Sequence, residues 1–127
     1  MGDNLKDTLM MVHSYLERLI IGIGDLSGKL FNLGREGLNA IPDLAEGINL
    51  VVMALLKTHG EHSAEVDAVK VRDVMAELLD AVRNEDYTLI NDLLTYELSP
   101  VLCGYYDALD EALFSNDRSP GLMLHSE

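Results

Sequence analysis

The chain has no tryptophan, two phenylalanines, three prolines and one cysteine. Each shortage removes a class of answer. A lone Cys103 cannot close an internal disulfide, so packing has to hold the fold, and a reducing compartment, the cytoplasm, is the expectation. Without a Cys pair there is no thiolate zinc site and no covalent haem attachment. The apolar residues are mainly Leu, Ile, Val and Met, which with so little proline favour helices packed on helices. Basic residues are scarce too: 9 Lys and Arg against 22 Asp and Glu leave a net charge of −13. Such a surface repels phosphate backbones and anionic lipid, so neither nucleic acid nor a membrane is an expected partner. The longest uncharged apolar stretch, Ile48 to Leu56, falls well short of the ~20 residues that cross a bilayer. The N-terminal residues lack the basic, apolar and cleavage segments of a secretory signal. Lys6 stands where an acylation motif requires Ser or Thr, so no leader or lipid anchor is expected.

What remains is a globular composition, 48% apolar and 24% charged over 127 residues, sufficient for one hydrophobic core. The acidity is uneven: residues 1–60 carry −2 and residues 61–114 carry −10. Leu9, Val12, Leu16, Leu19, Ile23, Leu26, Leu30 and Leu33 recur in steps of three and four, predicting a long first helix with a lengthwise seam, ended by the cluster Gly34 to Gly37. Leu38, Ile41, Ala45, Ile48, Val52 and Leu55 predict a second helix to about Lys57, with Pro42 tolerated in its first turn. The segment 58–63 reads as a connection with Ser63 as the next N-cap. A shorter third helix rests on Val71, Val74, Met75, Leu78 and Val82. Asp86 then caps a fourth bearing Ile90, Leu94, Leu98, Val101, Tyr105, Leu109 and Ala112. Ser99-Pro100 in its middle predicts a kink or a restart. A weak repeat at an offset of 49 lays Glu36, Leu38, Ile41 and Asp43 on Glu85, Tyr87, Ile90 and Asp92. The expected fold is all-α: an antiparallel four-helix bundle of two long helical hairpins over residues 1–114, with a tail over 115–127.

Glycine is concentrated in "LIIGIGDLSGKL", residues 19–30. A phosphate-binding loop requires Gly five residues before Gly28 and a hydroxyl after Lys29. Ile23 and Leu30 occupy those positions, and Ser27 replaces the third glycine of a dinucleotide fingerprint. Because Ile23, Leu26 and Leu30 carry the helical stripe through the stretch, Gly24 and Gly28 are expected to admit a close helix neighbour.

Catalytic and metal signatures are missing. His13, His59, His62 and His125 are preceded at the diagnostic spacing by Met10, Leu56, His59 and Leu122, never by the Glu of a di-metal bundle. His59 and His62 are the candidate metal ligands, with two exposed histidines in a connection as the simpler reading. Cys103 lacks a local cation and is expected to be buried. Tyr96, Glu97, Tyr105, Tyr106, Asp107 and Asp110 place aromatic rings beside carboxylates on the fourth helix, a composition suited to basic or amphipathic partners. They are the candidate partner-binding residues.

Over "NEDYTLINDLLTYELSPVL", residues 84–102, with Glu85-Asp86, Asp92-Leu93-Leu94, Tyr96-Glu97-Leu98 and Pro100, and with Ala45-Glu46-Gly47, the chain resembles small uncharacterised helical-bundle proteins of Gram-positive spore-forming bacteria. The resemblance implies a helical bundle and carries no activity or catalytic residue. In size, acidity and helicity the chain is also similar to export chaperones of flagellar and secretion systems. The expected function is therefore a non-enzymatic, adaptor- or chaperone-like interaction protein, without cofactor, binding a protein partner or its own copy. A small-ligand or metal-binding bundle is the alternative.

Overall fold

The computed structural model describes residues 3–114. Among these there is no strand: α1 (Asp3–Leu33), α2 (Arg35–Leu38), α3 (Ile41–Lys57), α4 (Ala68–Arg83), α5 (Tyr87–Asp92), a π-helical segment (Leu93–Leu98) and α6 (Ser99–Phe114) follow in order. The segment 115–127, with Leu122, Met123, Leu124 and His125, lies outside the described residues.

The 31-residue α1 is the spine, packed on α2, α3, α5, the π segment and, most extensively, α6. Its stripe Leu9, Leu16, Leu19, Ile23, Leu26 and Leu30 is buried, but Leu33 is 40% exposed. A 3.5-residue repeat drifts by ~20° per heptad on a straight α-helix, so a seam begun at Leu9 has rotated off the core by the last turn. Gly34 then turns the chain with φ 58°, a conformation glycine adopts without strain.

Two helix starts differ in how well the spacing places them. Asp86 caps α5 as expected, accepting from the Leu89 N–H at 3.1 Å. α4 begins not after Ser63 but at Ala68, where Asp67 accepts from the Lys70 N–H at 3.0 Å. Before it, the His62 side chain bonds Leu55 O, Thr58 Oγ1 and the Ala64 N–H and so ties the connection back onto the end of α3. Asp67→Ala and Asp86→Ala are each expected to lower stability by about 1 kcal/mol and Ser63→Ala to leave it unchanged, measured by urea denaturation.

Pro100 causes no restart. Ser99 keeps helical dihedrals, φ −58° and ψ −46°, and donates its N–H to Leu94 O, five residues back. The widened π turns ahead of Pro100 absorb its missing donor and the clash of its ring with the preceding turn. Tyr87 to Phe114 is thereby continuously helical.

The glycines of α1 are not packing points. A Cβ on Gly22, Gly24 or Gly28 would meet nothing within 4 Å, so these residues face open space and the expected close neighbour is absent there. The close approach is at Gly47 of α3, where a Cβ would collide with the Tyr15 hydroxyl and lie 3.2 Å from Leu19. The two turns related by the internal repeat lie side by side: Arg35 bonds Glu85 at 2.8 Å, and the Phe31 and Tyr87 rings are 6.0 Å apart.

Candidate interaction surfaces

The tyrosine and carboxylate set of the fourth helix does not form one face. Tyr105 is only 4% exposed and belongs to the core, because it continues the stripe Leu98, Leu102, Tyr105, Leu109. Little of its ring is therefore open to a partner, although it reaches the floor of the cleft lined by Glu65, Asp107 and Glu111. Tyr96, 70% exposed, and the exposed Glu97 lie on the π segment, ~16 Å of helix from Asp107. Tyr106 stacks on His13 of α1 with ring centroids 4.3 Å apart, Phe114 meets the same imidazole edge-on at 5.4 Å, and Asp110 Oδ1 bonds His13 Nε2 at 3.1 Å. These residues clamp α6 to α1. Asp107 borders two clefts, one with Glu65 and Glu111 and one with Glu17, Tyr106 and Cys103. Cys103 is exposed, not buried as expected, since it falls outside the Leu98–Leu102–Leu109 stripe.

Burial, and then the charge of Asp67, raises the Tyr105 phenol above its ordinary 10.0. Partial desolvation, then Glu17, Asp110 and Asp107, raises Tyr106. A phenol whose pKa is higher folded than unfolded stabilises the fold fully below pH 10 and loses that contribution as pH rises through the folded value. An ultraviolet titration at 295 nm is expected to show a late component that shrinks in Tyr105→Phe.

The two loop histidines are not equivalent. His59 is exposed. His62 Nδ1 accepts from the Ala64 N–H at 3.1 Å, which leaves the proton on Nε2 to donate to Leu55 O at 3.0 Å, with Thr58 Oγ1 3.1 Å away. Both ring nitrogens thus hold the loop, and a metal ion at His62 would have to displace one of these bonds. Among the described residues no group of three His, Cys, Asp or Glu is arranged to hold a metal.

A second uncovered apolar surface lies on α3. Residues 47–56 contain no charged side chain on any face, and a helix apolar all round is ordinarily buried. One side of α3 is: Ile48, Val51, Val52 and Leu55 face the core. The other carries Leu50, Met53 and Leu56 at 54%, 46% and 47% exposure. A groove of 510 Å³ separates this crest from Met11, Val12 and Tyr15 of α1, and one of 470 Å³ separates it from Val69 and Met75 of α4. Each groove has one charged lining residue, Arg18 or Arg72, whereas the α6 clefts are lined by carboxylates alone among charged groups. Counted through α2, Arg35–Lys57 is 23 residues long and apolar enough to cross a membrane by length and composition, although 44% of its most apolar window is buried. The uninterrupted run Ile48 to Leu56 understated it, because scattered polar residues do not break such a span.

The family model described as "Domain of unknown function (DUF8042)" matches residues 7–107. The chain belongs to this family. The match runs from the first turns of α1 into α6 and so includes both helices that flank the α3 crest. No curated protein and no solved structure matches the chain significantly.

Proposed function

We propose that this chain is a non-enzymatic protein-interaction domain that binds a partner helix on the apolar face of α3. The single observation behind this is the uncharged, half-exposed crest Leu50, Met53 and Leu56 between two apolar grooves. Contiguous apolar surface of this kind marks interaction sites, and a ridge with grooves on both sides suits helix-against-helix recognition. The reading includes an antiparallel four-helix bundle of two hairpins, an adaptor- or chaperone-like role, a bacterial source and a cytoplasmic setting. It involves neither nucleic acid nor a membrane. A small-ligand site needs polar groups converging in a cleft, and the α3 face does not offer one, since each of its grooves has a single arginine as its charged lining.

The test is capture with three baits: wild type, Leu50→Asp/Leu56→Asp, and Asp107→Lys. Partners retained by wild type and Asp107→Lys but lost by the α3 variant support the reading. Partners lost only with Asp107→Lys would move the contact surface to α6 and overturn it.

A further inference from the structure

The partner of the α3 face can be named from the chemistry of its crest, an inference that rests on the proposed role of that face. Glu46, Leu50, Met53 and Lys57 are all exposed and follow one another at steps of four, three and four, one stripe along the helix. The apolar pair is flanked by charges of opposite sign. When two identical helices pack antiparallel about a two-fold axis, residues whose numbers share a constant sum face each other. With the axis level between positions 51 and 52, Leu50 meets Met53 of the second copy and Glu46 meets Lys57 of the second copy, each contact occurring twice. A parallel pair would instead set Glu46 on Glu46 and Lys57 on Lys57.

Two further observations favour the same occupant. The crest borders the 510 Å³ groove against α1, so a two-fold can seat each crest beside the other, the self-complementarity that an isologous contact requires. At a net charge of −13 two copies repel in most orientations, but in this register residues 47–56 are uncharged and each Glu46 carboxylate faces a Lys57. Charged ends of this kind set register and orientation more than they set strength.

We infer that two copies of this chain associate through an antiparallel seam of α3 against α3, with Leu50 on Met53 and Glu46 on Lys57. Sedimentation equilibrium of the full chain tests it, with circular dichroism confirming that each variant stays helical. The wild type is expected to dimerise, and Met53→Asp to raise the dimer Kd at least tenfold. Glu46→Lys and Lys57→Glu are each expected to weaken the dimer about tenfold, and the two together to return it to within about threefold of wild type. A wild type still monomeric at about 200 µM, a dimer indifferent to Met53→Asp, or a double reversal that fails to restore association overturns the seam. A monomer whose captured partners still depend on Leu50 and Leu56 overturns the second copy alone. Capture and association both indifferent to α3 overturn the face as well.

Discussion

Leu94→Ala is expected to lower the unfolding free energy by about 2–5 kcal/mol, the range for removing a fully buried leucine without collapse of the cavity. Leu94 has 0% exposure and lies in the π segment, which packs on both α1 and α4. With the side chain fully buried and its segment packed between elements distant in sequence, a void there is expected to stay open. A domain of this size holds roughly 5–15 kcal/mol in total, so this one change removes a large share. Differential scanning calorimetry should show a fall in Tm of roughly 10 °C or more. The control is Leu33→Ala. Spacing places Leu33 on the same kind of seam, but its 40% exposure limits the expected loss to below about 1 kcal/mol. Equal losses at Leu33 and Leu94 would contradict the arrangement described.

The glycines provide the second large effect, and here the sign changes from one helix to the other. Gly47→Leu is expected to cost about 2–3 kcal/mol, because a side chain at that position enters the space of Tyr15 and Leu19 and the packed α1–α3 contact must open. Gly24→Ala and Gly28→Ala add a methyl group where nothing lies within 4 Å. They replace the poorest non-proline helix former with the best, so each is expected to raise stability by about 0.5–1 kcal/mol. Guanidinium denaturation of the three variants decides it. A destabilised Gly24→Ala would mean that a neighbour packs on that side of α1 after all.

These contrasts mark what could be read in one dimension. Leu9 through Leu30, Ile41 through Leu55 and Ile90 through Leu109 announce their buried stripes by spacing alone, because a helix converts sequence period directly into a face. Asp86 announces a cap because the hydrogen bond it makes spans only three residues. Tyr105 and Cys103 show the limit. Both lie on a helix of correctly expected type, but one continues a core stripe and the other leaves it, and a tyrosine count cannot tell these apart. The α3 crest was missed for a related reason. Leu50, Met53 and Leu56 fall off the stripe Ile41, Ile48, Val52 and Leu55, and only the absence of any charge over residues 47–56 hints that this helix has two apolar sides.

The sequence by itself determined that the chain is helical, where most of the helices begin and end, and which side of each is apolar, since these depend on contacts within a few residues. Only the tertiary structure decided which apolar side is covered. Burial is a property of the neighbours a helix acquires, and nothing within α3 states that α1 and α4 cover one side of it and leave Leu50, Met53 and Leu56 outside. The same holds for the glycines: Gly24 and Gly47 differ not in local sequence chemistry but in what stands opposite them.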